Sequence, residues 1–425
     1  MQFSNPDWRR RPAGRSRGAG FFVHRLLGAI AVLLPLATPG FPQENPNRLV
    51  SVRTQEGREF TGNLVSVGDG QLTVGTTESH RLPTRNLISL RCLKRPSVQS
   101  PTDPLVLLSD GGFLAARVIS ADELSLVVRW ARFPAWDPLK LPLEGVRAII
   151  FNRSEDAATE ARLWNRLAEH RARHDLVLLT NGDSLFGQIS RMDEQVVTLD
   201  TAAGQSSIER AGIRAVAFNP ELINVEPLKE EGALVSLVDG SRFRITKLRT
   251  GTLDRLVGRT LFAGRFELPL LTVESLRFLG GCATWLSDIE PSQYKFEPFL
   301  DYHWPWRRDR NVQGGRLALR GAEYPKGLGL HSRCEISYRL DGAYRTFQAT
   351  VGIDDDTQGK GSALFEVLVD GKSAYKSGDL TGSVAAVTLE RIDLTGAKTL
   401  TLRVDFGAMA DVQDHADWCD AVLVK

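Results

Sequence analysis

The residues best suited to chemistry lie in the run Asp301-Tyr-His-Trp-Pro-Trp-Arg-Arg-Asp-Arg-Asn311. Tyr302, Trp304 and Trp306 offer flat apolar faces, Arg307, Arg308 and Asp309 offer hydrogen bonds, and Pro305 stiffens the segment. A flat apolar face beside fixed polar groups suits a sugar ring, whose C–H face stacks while its hydroxyls take hydrogen bonds. Two placements of Trp304 and Trp306 stay open, as exposed platforms or as plugs at the end of a sandwich. A second cluster, Asp354, Asp355 and Asp356, joins three hard carboxylates. It suits either a structural calcium ion or a solvated acidic turn. No other cofactor is expected.

Catalytic constellations are harder to find. Residues 45–281 contain no His-Glu-x-x-His, no Gly-x-Ser-x-Gly and no Gly-x-Gly-x-x-Gly after a strand. His80, His170 and His174 have no cysteine partner there. Further on, Gly359-Lys-Gly-Ser362 is similar to a phosphate loop, but Asp354 stands where the upstream glycine belongs, so it reads as a hairpin tip. The chain is expected not to be an enzyme. The alternative is a glycoside hydrolase with two dispersed carboxylates about 5–10 Å apart.

The elements that must carry these residues begin with a repeat. Four units open on an apolar run and a turn glycine: Leu49 to Gly57, Leu105 to Gly111, Leu176 to Gly182 and Leu234 to Gly240. They close on apolar pairs three apart, Leu87 with Leu90, Val146 with Ile149, Ile213 with Val216, and Val273 with Leu276. Asp-Gly and Asn-Gly supply the positive φ that tight hairpins need. In each unit the closing pair begins five residues after Leu82, Leu141, Ile208 or Leu268, a gap that fits one 3₁₀ turn. The units therefore read as small SH3-like or Sm-like barrels at 45–96, 103–153, 174–220 and 232–281. Between the second and third, 154–173 reads as a helix capped by Ser154, with Ala157, Ala161, Trp164 and Ala168 on one face. It either packs Trp164 on a barrel or binds a partner. Segments 94–103 and 220–231 read as linkers.

At 425 residues, several domains are expected. The net charge of +2 hides an asymmetry, because residues 1–40 carry six arginines and one acid. Without them 47 basic residues face 50 acidic ones, so nucleic acid is not an expected partner. Residues 1–40 read as a signal peptide, since a basic stretch ends at Arg25 and the apolar run Leu26 to Ala37 is only twelve long. Twelve residues at about 1.5 Å each fall short of a bilayer core of roughly 30 Å. Export to a periplasmic, cell-surface or secreted location is expected, with no membrane span after cleavage; an uncleaved anchor from Phe21 is the alternative.

The last third carries five ordered motifs: Gly327-Leu-Gly-Leu-His-Ser332, Phe347 to Asp355, Leu364 to Gly371, Leu400 to Asp405, and Asp414-His-Ala-Asp-Trp418. Together they resemble the NPCBM family, the novel putative carbohydrate-binding module, over residues 282–425. The resemblance implies a galactose-binding-like jelly-roll sandwich that binds glycan without catalysis. His331, Asp414, His415 and Trp418 match family positions, either as ligand-binding groups around Trp418 or as a buried brace. First and last strands often adjoin in a jelly roll, so a Cys282–Cys419 bridge is one expectation and four buried free thiols the other. The whole reads as mainly β: tandem barrels, then a β-sandwich. Its expected partner is a glycan or polysaccharide, with envelope proteins on the barrels as the alternative.

Overall fold

The computed structural model describes residues 49–75, 78–93, 103–130, 137–154, 156–224, 230–251, 254–299 and 302–425. The expected signal peptide and residues 94–102 of the first linker lie outside them. The first unit runs through strands Leu49–Thr54, Glu59–Gly68, Gln71–Gly75, Ser79–Pro83 and Leu87–Cys92. Three more units repeat this order, ending on Val146–Ile150, Ile213–Ala217 and Val273–Leu279. A 3₁₀ turn precedes each closing strand, at Thr84–Asn86, Leu143–Gly145, Arg210–Gly212 and Leu270–Thr272. Gly57, Gly111, Gly182 and Gly240 hold φ of 77°, 86°, 97° and 85° in the first hairpins.

Each unit curls for a shared reason. Its second strand slips register once, between Leu64 and Ser66, Val118 and Ser120, Ile189 and Arg191, or Thr246 and Arg249. Such a bulge bends a strand and raises its twist, so one strand serves both halves of a curled unit. In the second unit this strand is also interrupted at Ala116, giving Phe113–Ala115 and Arg117–Ala121.

The units are not independent barrels in series. Leu87–Cys92 pairs with Val273–Leu279 through Leu90 and Leu276, joining the first unit to the fourth. Val146–Ile150 pairs with Ile213–Ala217, joining the second to the third. A contact of Arg242 with Phe113 links the fourth to the second. Among the described residues the result is one hydrogen-bonded network of 21 strands. An unpaired edge attracts another strand, and here the closing strands satisfy each other. The interiors merge too: Trp130 of the second unit stacks on Phe266 of the fourth at 6.0 Å and donates its indole N–H to Asp239 at 2.9 Å.

The helix spans Ala157–Ala168, shorter than expected, and its cap is Asp156, not Ser154. Asp156 accepts the Thr159 N–H at 2.7 Å. The buried face is Ala161, Leu163 and Leu167, with Trp164 half-buried and Ala168 exposed. Leucines outweigh alanines in apolar area, which rotates the buried stripe from the expected one. Trp164 meets Phe113 edge-on at 5.7 Å.

The last third is a sandwich of two antiparallel sheets. One is ordered Arg307–Arg308, Gly327–His331, His415–Val424, Thr346–Ile353, Val387–Asp393, with Ala283–Trp285 also on His415–Val424. The other is ordered Gln293–Phe296, Cys334–Arg339, Thr399–Phe406, Ser362–Val369, Lys372–Thr381. Leu328, Leu330, Tyr338, Phe347, Phe365, Leu402 and Trp418 fill the space between them. This meets the jelly-roll expectation. The Cys282–Cys419 expectation is corrected: both thiols are buried and no disulfide joins them. Cys282 lies beside Lys425, and the six residues back to Cys419 span about 20 Å of strand. Ile88, Trp285 and Val422 pack together, and Arg277 forks onto Asp420 at 2.9 and 3.0 Å, so the repeat units and the sandwich adjoin.

Candidate functional site

The site is built at one end of the sandwich by strand register. Gly327–His331 runs antiparallel to His415–Val424 with His331 opposite His415, so histidines 84 positions apart become neighbours with ring centres 6.0 Å apart. Gly329 permits this arrangement, since a Cβ there would overlap the backbone of Arg310 and Asn311. The loop before these strands folds back over them. Trp304 stacks on His331 with centroids 4.6 Å apart and planes 2° from parallel. Tyr294 donates its hydroxyl to the Trp304 carbonyl at 2.8 Å and pins that loop.

A cleft of about 320 Å³ opens there. Its apolar wall is Phe296, Phe299, Tyr302 and Trp304, and its polar wall is Gln313, His331, Asp411, Gln413 and His415. Tyr302 is 64% exposed and Phe299 58%, whereas Trp304 is half-buried with one face against His331. Tyr302 meets Trp304 edge-on at 4.8 Å.

The two histidines are held by different partners. His331 Nδ1 lies 2.7 Å from the Ser332 carbonyl and donates to it. Burial lowers the His331 pKa to about 4, so at neutral pH the ring is uncharged and Nε2 is an acceptor. His415 Nδ1 lies 2.7 Å from Asp356 Oδ1, and its Nε2 lies 3.4 Å from the Gln313 amide nitrogen. Behind them Asn311 donates to Asp354 at 2.9 Å and to Asp356 at 3.0 Å. Cleft and brace thus form one connected network.

Several expected site residues lie elsewhere. Trp418 is wholly buried between the sheets, 5.5 Å from Phe365, and takes no part in the cleft. Asp414 is buried too, accepting the Ser332 hydroxyl at 2.6 Å and the Ser362 N–H at 2.9 Å. Burial raises its pKa to about 6. It is a brace. Trp306 packs on the sandwich core beneath the Arg308 guanidinium, which lies 4.9 Å above its ring. Arg308 also pairs with Glu290, and Arg307 donates to the Val312 carbonyl at 3.0 Å. Trp306, Arg307 and Arg308 therefore stand apart from the cleft.

The calcium expectation at Asp354, Asp355 and Asp356 is corrected as well. Asp354 accepts N–H groups of Asp356 and Ala318, and Asp355 those of Arg320 and Gly321. Asp356 faces His415 and Asn311. All six oxygens already have protein partners, and among the described residues no cluster is placed to hold a metal ion. Sequence reasoning missed Phe296, Phe299, Gln313, Asp411 and Gln413. Only their closeness to the motif residues in the fold marks them.

Comparison with known proteins identifies this part of the chain. Residues 283–424 match the NPCBM/NEW2 domain. A putative endo-alpha-N-acetylgalactosaminidase of Renibacterium salmoninarum is 40% identical over 108 residues, 25% of this chain and 7% of that protein. An alpha-1,3-galactosidase B of Akkermansia muciniphila is 30% identical over 124 residues, 27% of this chain and 15% of that protein. The chain thus spans less than a fifth of the length of either relative. Among solved structures, the CBM51 of Clostridium perfringens GH95 in complex with methyl-galactose is 27% identical, with TM-score 0.31 over 33% of this chain and 99% of that one. The CBM51-2 and INT domains of Clostridium perfringens ZmpB are 26% identical, with TM-score 0.31 over 40% and 36%. The resemblance carried by the five motifs is borne out: residues 283–424 match the NPCBM/NEW2 domain.

Proposed function

We propose that this is a non-catalytic glycan-binding protein acting outside the cytoplasm, with its ligand in the Trp304–His331–His415 cleft. The observation that carries this reading is the pairing of exposed aromatic faces with a fixed polar wall inside an NPCBM/NEW2 domain. Tyr302 and Phe299 present the open faces, with Trp304 as a rigid wall, while Gln313, Asp411, Gln413 and the two histidines meet hydroxyls. The fused units, read as SH3-like barrels, serve as the platform behind the sandwich. Export is supported by the basic and then apolar run ending at Ala37. No helix among the described residues is long and apolar enough to cross a membrane.

The test is a glycan array probed with the full chain, followed by titration of the best sugar. Tyr302→Ala and Trp304→Ala should each weaken binding by about tenfold or more, because a stacked ring carries much of so small an interface. Trp306→Ala should not weaken it. Unchanged affinity in folded Tyr302→Ala and Trp304→Ala proteins would refute this site.

A further inference from the structure

A second cavity, of about 350 Å³, lies where the second unit, the helix, the fourth unit and the sandwich loops meet. It shares no lining residue with the histidine cleft. One wall is apolar, made of Leu107, Phe113, Trp164, Leu167 and Leu234. The other carries Arg147, Arg242, Arg244, Arg308, Arg310 and Lys326 against only Asp110 and Asp309. A volume of this size falls in the range of roughly 300–1,000 Å³ usual for small-molecule sites.

Most of these cations are satisfied. Lys326 reaches Asp288 at 2.6 Å and Asp309 at 2.7 Å, and Arg308 pairs with Glu290 at 2.6 Å. Arg244 lies 3.7 Å from Asp288, and Arg147 donates to the carbonyls of Ala168 and His170. Asp110 is taken by the Gly112 N–H at 2.9 Å. Two arginines stand out. The Arg310 guanidinium lies 3.8 Å above the Trp164 ring, with no acid in ion-pair reach among the described residues. Arg242 lies over Phe113 at 5.5 Å and, among the described residues, reaches only the Pro325 carbonyl at 3.4 Å and leaves its buried Nε without a partner. Burial and the neighbouring arginines lower their pKa values to about 9 for Arg310 and about 10 for Arg242.

Two guanidinium groups in one partly desolvated cavity repel each other, and burial costs each of them hydration. An anion between them relieves both costs, and the planar fork of arginine matches a carboxylate. The apolar wall opposite favours an organic group over a bare ion. We propose that this cavity binds a small organic anion, with its carboxylate between Arg242 and Arg310 and its apolar part against Phe113, Leu167 and Leu234. The inference stands independently of the glycan reading.

The test is a ligand-observed NMR titration of the full chain with benzoate, against benzyl alcohol as the neutral analogue and chloride at equal ionic strength. Benzoate should saturate, and both controls should bind far more weakly. Arg242→Gln and Arg310→Gln should each weaken benzoate roughly tenfold or more, the scale of one charged hydrogen bond. Without anion, both variants should melt no lower than the parent, since each removes an unpaired cation. Three results would overturn the proposal: no saturation by benzoate, equal binding of benzyl alcohol, or benzoate affinity unchanged in both variants.

Discussion

At the scale of single residues, burial separates the side chains that share one motif. Asp414, His415 and Trp418 lie within five positions, yet only His415 lines the cleft. Trp418→Ala should cost about 3–5 kcal/mol, as deleting a large core ring does, and a denaturant melt measures it. Titration gives a second prediction. The folded pKa of His331, about 4, lies below its ordinary 6.5, so the unfolded chain binds more protons between those values. The His331 contribution is full above pH 6.5 and is lost as pH falls toward 4. Asp414, raised to about 6 from 3.8, acts in the opposite sense, losing stability as pH rises from about 4 to 6. His331→Gln should therefore lose less stability than the parent between pH 7 and 4.5, and Asp414→Asn should lose more. Urea melts at the two pH values check both signs.

At the scale of elements, glycines and caps set how closely segments approach. Gly329 lies under the backbone of Arg310 and Asn311, so Gly329→Ala must push that loop off the strand. Because the loop continues from Trp304, glycan affinity should fall together with the melting temperature. A calorimetric scan beside a sugar titration reads both, and loss of neither would show that the loop tolerates the shift. On the helix, Asp156→Ala should cost about 1 kcal/mol, the usual worth of an N-cap, measured by chemical denaturation.

At the scale of the molecule, the four units share one core. Their interiors run together, from Val50 and Leu90 of the first unit to Trp130 of the second, Val216 of the third and Phe266 of the fourth. A single unit expressed alone would bare the strand edge and apolar surface that its neighbour covers. Residues 232–281 alone should therefore lack a cooperative melt by circular dichroism. A sharp transition from that fragment would show that the fourth unit stands without Trp130 and Leu87–Cys92. Trp130→Ala in the full chain should cost about 3–5 kcal/mol, because it empties a site that two units share.

Local signals determined the parts. Asn-Gly and Asp-Gly turns, the five-residue gap before each closing pair, and alternation in the sandwich strands all act within a few residues, so the chain shows them directly. The five motifs likewise marked the region that matches the NPCBM/NEW2 domain and two of its histidines. Other matters depended on contacts between distant segments. Whether Trp304 or Trp306 faces the cleft turns on how one loop lies across a strand. Whether three aspartates hold a metal turns on N–H groups of Ala318, Arg320 and Gly321 that reach them first. The union of the first and fourth units turns on edge pairing between Leu90 and Leu276, 186 positions apart. Hydrogen bonding along a strand edge is not specific to one partner, so only the packed structure shows which edges meet.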